Sequence, residues 1–520
     1  MKNMEFSLVS QNPQSTVVAE FTPTPRVSEA YQSEAGLERE FIAQLQAQGY
    51  EYLQIHEEAD LKDNLRKQLQ KLNHFTFSDT ERERFFATDI ANSNQNIEDK
   101  TTTIQEDYIK TIQLENWESK NIYLLDKKAI HNNTLQVINQ YTTSEGTYTN
   151  RYDVTILVNG LPLVHIELKK RGVAIQEAFN QINRYQRESF WAASGLFEYV
   201  QLFVISNGTH TKYYSNTTRF AHIKEQKDWS PSKGKKSSHS FEFTSRWADY
   251  SNRPIMDLID FTKTFFAKHT LLNILTKYCV FTEDKMLLVM RPYQIVATEK
   301  IISKIQIASN YKKYGTIDAC GYIWHTTGSG KTLTSFKTAQ IASKLEYIDK
   351  VLFVVDRKDL DYQTMREYDK FEKGAANSNT STAKLKAQLE DPKAKIIITT
   401  IQKLDKFIKK HKDHAIFDGQ IVLIFDECHR SQFGDMHQAI TKAFNKYYLF
   451  WFTGTPIFAV NSSSTGYTHL RTTEQAFGEK LHTYTIVDAI ADKNVLPFKI
   501  DYISTFREAE NIEDEKVTDI

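Results

Sequence analysis

The stretch His325-Thr-Thr-Gly-Ser-Gly-Lys-Thr332 carries residue types suited to holding a phosphate chain. Gly328 and Gly330 let backbone N–H groups curl around an anion, and the helix expected to start here adds its partial positive charge. Lys331 supplies a cation and Thr332 a hydroxyl able to ligate Mg2+. Thr327, Gly328, Ser329, Gly330, Lys331 and Thr332 are therefore the candidate phosphate site, although such a cluster can also be a plain helix cap. His325 stands where these loops usually carry glycine. Downstream, the apolar run Gln420-Ile-Val-Leu-Ile-Phe425 reads as a buried parallel strand and ends in Asp426-Glu427-Cys428-His429. Acidic residues at the carboxyl end of such a strand lie beside the phosphate loop of a doubly wound sheet. Asp426 can hold Mg2+ there, and Glu427 can orient or deprotonate an attacking water.

A second constellation lies earlier. Arg151-Tyr-Asp-Val-Thr-Ile-Leu-Val158, Asn159-Gly160 and Leu163-Val-His-Ile-Glu-Leu-Lys169 read as a β-hairpin. Glu167 and Lys169 share one face of their strand. A two-residue turn would pair Asp153 with Ile166 and turn it away from them. An odd loop or a bulge would set Asp153 opposite Glu167, with Cβ atoms about 5 Å apart. Two carboxylates so placed can hold Mg2+, while Lys169 polarises a water or stabilises developing charge. His165 falls on the Glu167 face, but with no second His or Cys partner it reads as structural. Gln181 and Tyr185, four apart, share a face of the following helix.

These residues need scaffolds of two kinds. The 520 residues suffice for about three domains. From residue 36 to about 214, within an expected domain over 31–250, helical and strand-like stretches alternate. From 291 to about 500, within an expected domain over 251–500, buried strands at 351–355, 396–400, 421–425 and 449–453 alternate with helices, which implies a parallel sheet. Residues 1–30 are polar and read as loosely ordered. A basic, Ser-rich linker occupies about 216–250, with Ser230-Pro-Ser-Lys-Gly-Lys-Lys-Ser-Ser238 at its centre, either a solvated loop or a DNA-backbone contact. A helical segment is expected over 255–278. Lys+Arg and Asp+Glu both count 65, so any nucleic-acid contact must use local patches. Three cysteines without metal-ligand spacing fit a reducing cytosol, and no apolar run approaches a membrane span.

Taken together, the second half resembles superfamily 2 helicase-type motors. Arg291-Pro-Tyr-Gln294 looks like their adenine-reading motif, with Gln294 on the base. Val354-Val-Asp-Arg-Lys-Asp-Leu360 and Thr399-Thr-Ile-Gln-Lys-Leu404 are similar to their DNA-gripping elements. Phe452-Thr-Gly-Thr-Pro456 resembles the motif that couples hydrolysis to movement, with Thr453 and Thr455 as couplers. The first half resembles the Asp…Glu-x-Lys nuclease core of many restriction enzymes. The Gln181/Tyr185 pair is similar to a DNA-positioning element of nuclease cores fused to translocases, and Glu38 to the acidic residue of the core's first helix.

This order resembles the restriction (R) subunit of type I restriction–modification enzymes. The resemblance implies a restriction-endonuclease-like α/β/α domain over 31–250, then a RecA-like doubly wound lobe over 251–500. It also implies ATP and Mg2+ as cofactors, double-stranded DNA as substrate, modification and specificity subunits as partners, and a cytoplasmic location. The family's motor has a second lobe of roughly 150 residues. Only residues 505–520 follow Ser504, so the expectation is a chain ending just inside that lobe, one that binds nucleotide weakly and does not translocate alone. A non-catalytic remnant, or a motor of a type III-like family, is the alternative.

Overall fold

A computed structural model describes residues 15–24, 32–143, 150–217, 240–355, 366–371, 377–378, 381–426, 433–458 and 472–495. The first layer is a six-stranded mixed sheet in chain order, β1 (Glu51–Tyr52), β2 (Leu135–Thr143), β3 (Asn150–Val158), β4 (Leu161–Leu168), β5 (Leu202–Ser206) and β6 (Thr211–Ser215). Strands β2 to β4 are antiparallel neighbours, whereas β4 and β5 run parallel. A parallel pair cannot be joined by a tight turn. The helix α2 (Ile175–Glu188) makes that crossover. Strand β4 is buried at every position, so both faces of the sheet are covered along it. Helix α1 (Glu34–Ala47) is capped by Ser33, whose Oγ accepts from the Gly36 N–H, and buries Leu37, Phe41, Ile42 and Leu45.

The turn from β3 to β4 is the Asn159-Gly160 pair, both in the left-handed region at φ 51° and 84°. Asn159 fastens it: its Nδ2 donates to the Leu124 carbonyl at 3.0 Å and its Oδ1 accepts from the Thr134 N–H at 2.8 Å. Gly160 lies against the helix Glu58–Asn73, and a Cβ there would stand 2.5 Å from Leu65 Cα.

The second sheet has seven strands, all parallel. In chain order they are β7 (Cys320–His325), β8 (Lys350–Val355), β9 (Asn377–Ser378), β10 (Ile396–Thr400), β11 (Gln420–Asp426), β12 (Lys446–Thr453) and β13 (Glu479–Tyr484). Their spatial order is β9-β10-β8-β11-β12-β7-β13. The chain is thus α/β throughout, a restriction-endonuclease-like layer followed by a RecA-like doubly wound sheet.

Three expectations need correction. The segment 255–278 is two helices, α3 (Leu258–Phe265) and α4 (Lys268–Thr276). Adjacent residues on one helix point apart, and the break between them lets Phe265 and Phe266 both bury, with Phe266 packed on Phe41 and Phe261. Residues 15–24 are not loose. Val17 is buried, the Thr16 N–H donates to both Glu299 oxygens at 3.0 and 3.1 Å, and Thr24 Oγ1 donates to Asp260 at 2.8 Å. A short apolar pair and specific acceptors outweigh the polar average there. Nor is the end of the expected linker a linker: Trp247 is fully buried, and the core around the first sheet continues through Phe261 and Leu271 to Ile295 and Val296. Residues 218–239, with the basic Ser-rich run, lie outside the described residues.

The turn gives a stability prediction. Gly160→Ala combines an unfavourable φ with a backbone clash and should cost about 2–3 kcal/mol. Urea unfolding followed by far-UV circular dichroism should show a lower midpoint. An unchanged midpoint would mean that the helix Glu58–Asn73 yields freely.

Candidate functional site

The Asn-Gly turn alone would pair Asp153 with Ile166. Instead Leu157 faces Pro162 and Ile156 faces Val164, so Leu163 is an extra residue, a β-bulge. The Leu163 carbonyl is taken by the Gln201 N–H at 2.8 Å. Beyond the bulge Val154 faces Ile166, and one further step sets Asp153 opposite Glu167. The structure thus brings the two carboxylates together with a bulge, one of the two devices the sequence left open. Lys169 lies just past β4, where its N–H continues the ladder to the Ser206 carbonyl at 2.8 Å.

Both carboxylates are buried, Glu167 completely. Asp153 Oδ2 accepts from the Leu168 N–H at 2.9 Å. Lys169 Nζ lies 3.2 Å from Glu167 Oε1 and donates to the Leu168 carbonyl at 2.9 Å. Glu167 Oε2 has no hydrogen-bond partner among the described residues. Burial, with Glu167 as the next cause, pushes Asp153 up to about 8. Burial pushes Glu167 up to about 7 against the pull of Lys169. Such a pair, with one oxygen unsatisfied, fits a hard cation, whose charge would offset the desolvation. No group of three or more His, Cys, Asp or Glu side chains among the described residues is arranged to hold a metal ion by itself, so waters and a substrate phosphate would have to complete the shell.

The neighbouring side chains have other duties. His165 is fully buried among Tyr152, Tyr185, Phe190 and Phe203, and burial lowers its pKa to about 4, so it is neutral. Its Nε2 is 3.5 Å from Glu167 Oε2, and its Nδ1 is 3.2 Å from Thr155 Oγ1. Gln181 Nε2 donates to Tyr185 Oη, which donates to the Arg151 carbonyl at 2.8 Å, two residues from Asp153. Glu38 is not turned to the pair: its two oxygens accept from Asn139 Nδ2 and Gln140 Nε2 on β2. One helical turn earlier, Glu34 stands 3.8 Å from Lys169 Nζ. Sequence reasoning missed it, since both acids open the same helix and only the docking angle separates them.

In the second sheet, β7 delivers the phosphate loop and α6 (Lys331–Ala342) leaves it. Gly328 and Gly330 adopt φ 80° and 76°. Ser329 Oγ donates to the Thr326 carbonyl at 2.6 Å, closing the loop on itself. Helix α5 (Pro292–Asn310) supports it from below: Tyr293 Oη and Gln294 Nε2 both donate to the Ser329 carbonyl, at 2.7 and 3.0 Å. A Cβ on Gly330 would meet Gln294 Nε2 at 2.6 Å, a contact the glutamine could relieve, so it is the φ of 76° that calls for glycine there; nothing lies within 4 Å of a Cβ on Gly328. Thr327, Lys331 and Thr332 line the same turn, with Lys331 and Thr332 opening α6. The expectation that Gln294 is free to read a base needs revision. Its Oε1 accepts from the Arg291 N–H at 2.9 Å while Nε2 grips the loop, so both ends of the amide are engaged.

The remaining motif residues gather at the carboxyl ends of the parallel strands. Asp426 ends β11 beside Phe452 of β12, and β12 in turn borders β7. One strand therefore separates Asp426 from the loop's strand, about 10 Å for two strand spacings. Thr453 is buried opposite Trp324; its Oγ1 accepts from the Thr455 N–H at 3.0 Å, and Trp324 Nε1 donates to the Gly454 carbonyl at 3.2 Å. Thr400 caps the helix Ile401–Lys410 through its Oγ1. Glu427 and residues 356–360 lie outside the described residues.

Two family descriptions match the chain in the same order. Residues 31–222 match the type I restriction enzyme R protein N terminus, and residues 293–520 match the SWI2/SNF2 ATPase. The type I restriction enzyme SsaAORF53P endonuclease subunit of Staphylococcus saprophyticus is 42% identical over 499 residues, which is 93% of this chain and 49% of that one. The EcoprrI endonuclease subunit of Escherichia coli is 50% identical over 56% of this chain and 88% of its own length. The C-terminal part of a putative type I restriction enzyme of Mycoplasma pneumoniae, the MpnIIP endonuclease, is 50% identical over 38% of this chain and its whole length. The chain belongs to the family of type I restriction enzyme endonuclease subunits, with an R-protein N-terminal domain joined to a SWI2/SNF2-type ATPase domain. It spans about half the length of the longer relatives it matches. No helix among the described residues is long and apolar enough to cross a membrane.

The raised carboxylates fix a pH dependence. The folded pair binds protons that the unfolded chain releases above the ordinary carboxylate range, near pH 4. Without a divalent cation, that stabilisation is complete below this range and is lost as pH rises through about 7 to 8. In EDTA, melting temperature should therefore fall between pH 6 and 9. Asp153→Asn should lessen that fall by several degrees, since each pH unit below a raised carboxyl pKa is worth about 1.4 kcal/mol. Equal slopes for variant and wild type would contradict the assignment.

Proposed function

We propose that this chain is the DNA-cutting and motor component of a type I restriction–modification system. In this reading it acts in the cytoplasm with modification and specificity subunits, uses ATP with Mg2+ to pull duplex DNA, and cleaves unmodified DNA away from the recognition site. The observation that carries the reading is the buried Asp153–Glu167 pair with Lys169 beside it, on the same chain as an intact phosphate loop.

For cleavage, Asp153 and Glu167 would hold Mg2+, which when bound supplies Lewis-acid polarisation of a phosphate oxygen and of water. Lys169 already has its ammonium between Glu167 and the Leu168 carbonyl, where it donates to the developing negative charge. A water oxygen bonds to phosphorus and the bond to the leaving sugar oxygen breaks. Tyr185, buried and tied to the Arg151 carbonyl, fixes the floor beside the pair, and Gln181, whose amide donates to the Tyr185 hydroxyl, would help position the DNA backbone from the same helix.

For the motor, the loop N–H groups, Lys331 and Thr332 receive the phosphates, Asp426 assists in holding Mg2+, and Glu427 orients water. Gln294 braces the loop and reads the base only if its amide turns. Thr453 and Thr455 are the couplers. The Trp324–Gly454 hydrogen bond supports that role, because it joins the loop's strand to the Thr-Gly-Thr turn.

A Mg2+-dependent nicking assay on supercoiled plasmid tests the nuclease. Asp153→Ala and Lys169→Ala should each lower nicking by about 100-fold or more. A wild-type chain that never nicks, or nicking that survives both substitutions, would contradict it. Lys331→Ala should abolish binding of a fluorescent ATP analogue and leave the nuclease site's cation binding intact.

A further inference from the structure

His325 occupies a glycine's place in the phosphate loop, and neither proposed reaction uses it. The histidine is completely buried, and its Nε2 lies 2.9 Å from Nδ1 of His482 on β13. The other nitrogen of His482, Nε2, lies 3.2 Å from the Tyr250 carbonyl oxygen. A carbonyl only accepts, so His482 Nε2 carries the proton. Burial holds both rings neutral: it lowers His482 to about 4, and it lowers His325, with His482 and Lys331 as the further causes. His482 Nδ1 is therefore a bare acceptor, and His325 Nε2–H must donate to it. The tautomers follow in one order, from the loop to Tyr250.

Tyr250 belongs to the nuclease-side core. Its N–H donates to the Val18 carbonyl at 3.1 Å. Three residues before it, Trp247 packs on Tyr213 of β6 and on Phe265. Two residues after it, Asn252 Nδ2 donates to the Thr483 carbonyl at 2.8 Å, a second tie to β13. At the other end, the Thr326 N–H donates to the Tyr484 carbonyl at 2.9 Å, and Tyr293 stacks on Tyr484 at 3.7 Å while its hydroxyl holds Ser329. The path from the first sheet to the phosphate loop is thus continuous through hydrogen bonds and packed rings.

We infer that His325 and His482 are positioning residues that couple the phosphate loop to the 247–255 segment, so that nucleotide binding and docking of the nuclease-side core reinforce one another. The inference rests on the proposed role of the loop. Its physical requirement is polarity and direction at His482, one acceptor toward His325 and one donor toward Tyr250. A glutamine amide can meet that requirement, and a leucine of similar size cannot.

The test uses the full chain with a fluorescent ATP analogue, and reads the amide exchange of residues 247–255 with and without nucleotide. His482→Leu should weaken nucleotide binding by about tenfold or more, the loss expected when buried polar groups are left unpaired. It should also abolish the slowing of exchange in 247–255 on nucleotide addition. His482→Gln should bind within about threefold of wild type and keep that slowing. If the leucine variant fails to fold, His482→Met, which also lacks the donor, takes its place. Equal weakening by Gln and Leu would overturn the inference, as would full affinity in the leucine variant or wild-type exchange that ignores nucleotide. Lys331→Ala separates the two levels. If it binds as well as wild type, or if wild type binds nothing, the loop's own role fails and the coupling with it.

Discussion

The structure depends on the burial of two carboxylates face to face on neighbouring strands. Each ionised group removed from water costs several kcal/mol even after relaxation. The fold tolerates the pair because Leu168 N–H and Lys169 offset part of that cost, and because the carboxyls keep protons that exposed ones would lose. A hydrophobic pair would fill the same space without this penalty. The bulge at Leu163 exists in the same spirit: it interrupts an otherwise regular ladder, and its consequence is to turn Asp153 toward Glu167. Without that extra residue, a tight Asn-Gly turn would place the two acids on opposite faces of the sheet.

The second sheet solves a different problem. Phosphate must be met by N–H groups and cations, and parallel strands offer these at one edge, where each strand's carboxyl end opens into a helix. The loop is shaped less by its own residues than by what grips Ser329 from α5, and Gly330 is glycine because its φ of 76° lies in the left-handed region, with the Gln294 amide crowding the site further. The two sheets are not simply strung together. Residues 15–24 and 247–296 share the first sheet's core while reaching the helix and strand that flank the loop.

Much of this was legible in the sequence, for definite reasons. Runs such as Gln420–Phe425 are apolar without alternation, which only a strand buried on both faces sustains, so the parallel sheet could be read directly. The facing of Asp153 and Glu167 was legible only as a condition, because side-chain period two makes the outcome hinge on one residue of loop or bulge. The choice of Glu34 over Glu38 was not legible, since both sit in the first turns of α1 and docking decides between them. His482 and Tyr484 carry no motif; His482 matters through a carbonyl 232 residues away in sequence, and Tyr484 through the Thr326 N–H and the Tyr293 ring. Composition misled at residues 15–24, where a few specific hydrogen bonds outweigh a polar average.

The central claim is that Asp153 and Glu167 form a cation site held protonated until the cation arrives. Calorimetric titration of the metal-free chain with Mn2+ at pH 7, repeated in buffers of different ionisation enthalpy, measures the protons released on binding. With Asp153 near 8 and Glu167 near 7, the account predicts release of more than one proton per bound ion, about 1–2. Both Asp153→Asn and Glu167→Gln should remove binding and release together. Binding without proton release, or binding unchanged by either substitution, would contradict it.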